Sequence, residues 1–237
     1  MPPATIYGQS FEQLKALLLD WMGVSTTRLS NSAAGSIINI VQREICRLYE
    51  LSHNEYSDTF TTAAGTYDYT KPVGFSKPFS MYYISSTQSQ IIFLNGPLPK
   101  SDFDTVYPDP TVQGDAVNYC VWGSKIRLGY CPSSVYTVYR NYYRILPDLT
   151  DDSNNVTNQS SLTQNAWEVL LFNALVYTSQ YLIEDSRINV WVPKAGSLLQ
   201  ALVREDARAR SIGRAAQSQE PGTLAPYPFW FNVQATP

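Results

Sequence analysis

The sequence predicts an α+β chain, with an antiparallel bundle of about four helices, an inserted antiparallel β-sheet or sandwich, and an extended C-terminal arm. Three observations carry this. Apolar residues recur at helical spacing only near the two ends of the chain. The middle is rich in Thr, Tyr, Val and Ile, punctuated by Gly or Pro every dozen residues or so. The last stretch is broken by prolines and has no period. Helical segments flanking a run of strands are the mark of α+β architecture. The division expected is 1–55 with 160–214 as the helical part, 56–150 as the β-rich insertion and 215–237 as the arm.

The first helix is expected from Phe11 to Met22. Ser10 and Gln13 have capping-box spacing, in which each side chain satisfies an amide of the first turn. Leu14, Leu17, Leu18 and Trp21 make one stripe, and Gly23 supplies the stop. The second helix is expected from Ala33 to Leu51, with Ile37, Ile38, Val41, Ile45, Leu48 and Tyr49 on one face and Arg43, Glu44 and Arg47 off it. Strands are expected near Ser57–Thr61, Phe79–Ser85, Gln90–Leu94, Ala116–Trp122, Lys125–Tyr130 and Tyr136–Ile145. Lys100–Gly114, with its Asp and Pro residues, reads as an exposed loop.

Asp148–Ser160 reads as a polar linker. A third helix is expected from Leu162 to Glu184, with Ser161 and Gln164 repeating the capping-box spacing and Trp167, Leu170, Leu171, Ala174, Leu175, Thr178, Tyr181 and Leu182 as a wide stripe. The fourth runs from Asn189 to Arg214. Pro193 is tolerated only in a first turn, which helps to set its start. Trp191, Ala195, Leu198, Leu199 and Leu202 form its buried face. Arg204, Arg208, Arg210 and Arg214 crowd its last turns, where the helix dipole favours cations. They suit a protein interface, contact with DNA phosphate or a plain solvated face. In the arm, Tyr227, Phe229, Trp230 and Phe231 sit among prolines. A segment of this kind cannot bury its own aromatics, so it is expected to dock on its own domain or on a neighbouring chain.

Composition narrows the function. Charged residues are 16% of the chain and aromatics 13%, with 17 Tyr. Tyr gives stiff contact area with a polar tip, which suits both interfaces and strands. The net charge of −3 argues against a dedicated nucleic-acid binder. No apolar run reaches the about 18 residues of a membrane span, and no signal peptide is visible at Met1-Pro2-Pro3-Ala4. The odd cysteine count (Cys46, Cys120, Cys131) implies reduced, buried thiols. A two-residue turn at Gly123-Ser124 would set Cys120 opposite Arg127, out of register with Cys131 for a bridge.

No catalytic pattern emerges. The single histidine, His53, allows neither a four-ligand zinc site nor a triad made from other residues. No Walker, His-Glu-x-x-His or calcium-loop pattern occurs. Asp102, Asp104, Asp109 and Asp115 lie near many aromatics, so a carbohydrate-binding or depolymerising role remains as a rival reading. Two facing carboxylates and a Trp platform in one deep cleft would favour it. No cofactor and no metal are expected.

Several segments resemble one family. Thr61-Thr62-Ala63-Ala64-Gly65-Thr66-Tyr67-Asp68-Tyr69 resembles the opening β-segment of the head-to-tail adaptor (connector) proteins of tailed bacteriophages. Tyr107-Pro108, Lys125 through Pro132, and Val135–Leu149 with Tyr142-Tyr143 and Leu146-Pro147 are similar to its later strands. Ala166 through Leu175 resembles its helix entry, and Glu184-Asp185 through Trp191 its closing helix. The resemblance covers residues 10 to 214. Thr70-Lys71-Pro72 departs from the family's Leu-Pro, and the arm after Ala215 has no counterpart. It implies a structural virion protein made in the host cytoplasm, in a ring of about twelve copies below the portal. The helical part would meet the portal and the β part the tail tube or nozzle, with DNA crossing the channel without sequence-specific binding. Arg204, Arg208, Arg210, Arg214, Tyr227, Phe229, Trp230 and Phe231 are the expected partner-binding residues. Another tail ring protein, a terminator or nozzle subunit, is the nearest alternative.

Overall fold

The computed structural model describes residues 8–84, 90–151, 160–182 and 187–211. Its elements run α1 (Phe11–Met22), α2 (Asn31–Leu48), a 3-10 turn (Ser52–Asn54), β1 (Glu55–Thr61), β2 (Asp68–Thr70), β3 (Phe75–Ile84), β4 (Ile91–Leu98), α3 (Lys100–Val106), β5 (Asn118–Trp122), β6 (Lys125–Leu128), β7 (Thr137–Arg144), α4 (Ser161–Asn165), α5 (Trp167–Tyr181) and α6 (Ile188–Ser211). The protein is α+β, but the described residues hold six α-helices, not the expected four. The chain forms two compact units, residues 1–44 with 148–237, and residues 45–147.

In the first unit, α1 begins as its sequence dictates. Ser10 Oγ accepts from the Gln13 amide, and Gln13 Oε1 accepts from the Ser10 amide, at 3.2 and 2.8 Å. It ends at Gly23, whose left-handed φ of 63° an L side chain would resist. Leu14 and Leu18 are wholly buried, whereas Trp21 is partly exposed and meets Phe172 edge to face at 5.3 Å. Arg187 closes the same helix end by donating to the Trp21 and Met22 carbonyls at 2.9 and 2.7 Å.

α5 packs against both α1 and α6. Its buried residues, Val169, Leu170, Leu171, Ala174, Leu175 and Val176, fall on more than one side, as a central helix requires. Thr178 and Ser179 are buried there too, and their hydroxyls donate to the carbonyls of Ala174 and Leu175. The expected third helix is in fact two. Ala166, at φ −147° and ψ 37°, separates α4 from α5. Nothing in its local sequence marks the break. Tertiary packing decides it, since Leu162, Ala166, Val169 and Leu170 are all buried. The cap is also one residue earlier than expected. Ser160 Oγ, not Ser161, accepts from the amide three residues on, at 3.2 Å. In α6, Pro193 lies beyond the first turn. α2 ends at Leu48, a turn short of the expected Leu51, and Leu48 is 51% exposed. The polar return from the sheet is pinned by Asn39, which both donates to the Leu149 carbonyl and accepts from its amide, at 3.0 and 2.8 Å.

In the second unit, one seven-stranded sheet runs β1-β7-β3-β4-β5-β6-β2. It is not wholly antiparallel, because β4 and β5 run parallel. β4 is the joint. Its first half, Ile91–Leu94, pairs with β3, and Asn95 and Leu98 pair with β5. Between them Gly96 sits at φ 147°, and a Cβ there would stand 2.6 Å from the Tyr119 carbonyl oxygen. The two-residue turn at Gly123-Ser124 joins β5 to β6, with Cys120 opposite Arg127. All three cysteines are free and buried, and burial pushes each thiol's pKa up.

The sheet curls around one core. Met81, Tyr83, Leu94, Tyr119, Ile126, Leu128 and Val138 are buried together, with Phe60 and Tyr69 packed against them, so all seven strands contribute. The two end strands approach each other across this core. Phe60 of β1 lies 4.7 Å from Tyr69 of β2. Arg140, 5% exposed, holds Asp58 through two bonds of 2.7 and 2.9 Å and reaches the Thr70 carbonyl at 3.4 Å. The short β2 was not expected from the sequence. Neither was α3, which replaces part of the expected Lys100–Gly114 loop. The buried Phe103 and an ion pair from Lys100 to Asp104, one helical turn on, support it.

Candidate assembly interface

The outer side of the sheet divides in two. Over β5, α3 packs as a cover. There Arg127 stacks on Tyr67 at 4.7 Å and on Trp122 at 5.7 Å, with Lys100 over Trp122 at 5.1 Å. Asp68 accepts from Arg127 at 2.7 and 3.0 Å and from Lys125 at 3.1 Å, and these bonds hold its carboxyl below the usual carboxylate range. A cleft of about 370 Å³ opens here between Tyr67, Phe103, Tyr107 and Arg127. Its one lining carboxylate, Asp104, is tied to Lys100. The two facing acids of a glycosidase are therefore not brought together in this cleft. Asp102, Asp109 and Asp115 are all exposed, and Asp109 accepts from the amide and hydroxyl of Thr111.

Over β1, β7, β3 and β4 the outer side is open. Register places Tyr82 opposite Phe93 on one side and Tyr139 on the other, and Tyr139 opposite Thr59. Residues directly opposite share a face. The Tyr82 and Tyr139 rings are parallel within 6° at 4.9 Å, and Phe93 lies 5.6 Å from Tyr82. Beside this aromatic row runs a polar one, in which Asn141 bridges Ser57 and Ser80 at 2.8 Å each. Ile84 stands opposite Ile91, and Thr61 opposite Thr137. No charged side chain belongs to these rows. Phe93 is 62% exposed, Ile91 58% and Ile84 45%. The next row on this side places Glu55 and Lys77 opposite the buried Tyr143, so the charge-free patch is bounded by an ion-bearing row, and an aromatic patch without charge has the character of a contact surface.

Of the residues singled out in the sequence, Arg204, Arg208 and Arg210 are exposed on the last turns of α6. Arg210 pairs with the buried Asp206 at 2.9 Å, so part of this cluster serves its own helix. Arg214, Tyr227, Phe229, Trp230 and Phe231 lie outside the described residues. The aromatic row was not singled out, although the sequence carries its signal. Met81-Tyr82-Tyr83-Ile84 and Ile91-Ile92-Phe93-Leu94 are unbroken apolar runs, and a strand apolar on both faces has a second surface to bury. His53 is partly buried in the 3-10 turn. Among the described residues no group of three His, Cys, Asp or Glu side chains could hold a metal ion. No described helix is long and apolar enough to cross a membrane.

A folded scaffold whose distinctive surface is a charge-free aromatic patch on a sheet fits a protein that works by contact, a structural component. The model of the SU10 adaptor protein family matches residues 9–224, and the chain belongs to that family. It is a bacteriophage adaptor, a structural component of the virion whose family works with portal and tail components. No curated protein matches the chain.

Proposed function

We propose that this adaptor is the subunit of a ring that docks below the portal, extends the DNA channel and gives the tail its attachment site. The observation that carries the reading is the family match over residues 9–224. The charge-free aromatic patch of the sheet supports it, because a ring subunit must bury surface against like copies. In this reading the helical unit meets the portal. Arg204, Arg208, Arg210 and Arg214 belong to that contact, since Arg is favoured at interfaces and its planar fork matches carboxylates. The β unit meets the tail tube or nozzle, and the arm residues Tyr227, Phe229, Trp230 and Phe231 anchor in a groove of a neighbour. About twelve copies would match a portal's symmetry. A net charge of −3 on each copy leaves the channel without the cationic excess that would grip DNA. The protein acts without catalysis or cofactor, after synthesis in the host bacterial cytoplasm.

Gradient co-sedimentation with the phage portal tests this. The protein is expected to travel with the portal, and the double variant Arg204→Glu, Arg208→Glu to stay at the top. Equal co-sedimentation of both would remove the arginines from the portal contact. Absence of the unaltered protein from the portal fraction would remove the docking role.

A further inference from the structure

We propose that the open face of β1, β7, β3 and β4 receives the C-terminal segment 224–233 of a second copy of this chain. The inference rests on the proposal that the copies close a ring, and it names the contact that would link them. A ring is built head to tail, so each subunit must carry two different surfaces that fit each other.

The sheet supplies one. In its uncharged aromatic row Phe93 is exposed and Tyr82 and Tyr139 are half-buried, whereas α3 packs over β5 on the other half of the same side. The sequence supplies the other. After Glu220 the chain carries no charged side chain, and Leu224, Tyr227, Phe229, Trp230, Phe231 and Val233 fall within ten residues. Pro226 and Pro228 have no N–H to donate, which suits a contact made ring against ring across a sheet face and not the addition of a strand to its edge. Neither the aromatic row nor the arm carries a charge that would make burial of one against the other costly. The 12 residues from 212 to 223 can span up to about 40 Å when extended.

The test uses the full chain with Trp230→p-benzoylphenylalanine, a photo-crosslinking side chain. Unlabelled and nitrogen-15-labelled copies are mixed in equal amounts and illuminated, alone and on the portal, and the crosslinked peptides are read by mass spectrometry. The expected product joins the arm to peptides of β3, β4 or β7 with mixed isotopic labels. Adding Phe93→Asp, at an exposed position of β4, should lower its yield at least tenfold, with an unchanged melting temperature showing that the fold is kept. Crosslinks of one label only, crosslinks to the portal, or ring-sized particles without the mixed product would overturn the arm contact and leave the ring standing. Mixed product in open chains that never close would keep the contact and remove the ring. Neither product nor association would remove both.

Discussion

At the scale of single residues, two ion pairs of different kinds join neighbouring strands, Asp58 with Arg140 and Asp68 with Arg127. Arg140 is buried between Phe60, 4.8 Å from its guanidinium, and Asp58. Removing the acid strands a buried cation, so Asp58→Ala should cost about 3 kcal/mol, read as a lowered urea midpoint. Asp68 is bound by Arg127 and Lys125, and its pKa is depressed in the folded chain, mainly by the bond from Arg127. A carboxyl with a depressed folded pKa stabilises the fold above its unfolded value, near pH 4, and the stabilisation is lost as pH falls through the folded value. Asp68→Asn should therefore flatten the fall of the melting temperature between pH 5 and pH 2. A profile parallel to that of the unaltered protein would contradict the assignment. Neither pair was legible in the sequence, because Asp58 with Arg140 and Asp68 with Arg127 are joined only by the pairing of strands far apart in the chain.

At the scale of elements, legibility followed local chemistry. α1 was readable to the residue, since Ser10, Gln13 and Gly23 are local signals, and the Gly123-Ser124 turn fixed the register of β5 and β6. The α4–α5 break was not, because burial of Ala166 overrides a strong helix former. Two serines in a row also put the expected cap one residue late, at Ser161 instead of Ser160. With Ser160 as the cap, Ser160→Ala should cost about 1 kcal/mol while Ser161→Ala should cost far less, by thermal melting. The reverse order would mean that the helix starts one residue later. α3 escaped notice because its seven residues bury a single side chain, Phe103, and give no period to read. The aromatic row of the sheet was visible only as two doubled apolar runs. Which side of each strand faces the core depends on pairings far apart in the sequence, such as Tyr82 with Tyr139.

At the scale of the whole molecule, the α+β class and the family resemblance were present in the sequence, and the family match over residues 9–224 agrees with the resemblance read over 10 to 214. The contact surfaces are a different matter. A sheet face becomes a surface only after seven strands assemble, and the arginines of α6 acquire a meaning only through Asp206, which takes up one of them. The account assigns the work of this protein to assembly, and so its central claim concerns copy number. Mass photometry of the purified protein, alone and mixed with the portal of its phage, measures that directly. The account predicts a ring-sized increment on the portal, a whole multiple of 26.6 kDa near twelve copies. A protein that stays at 26.6 kDa and leaves the portal's mass unchanged would contradict it.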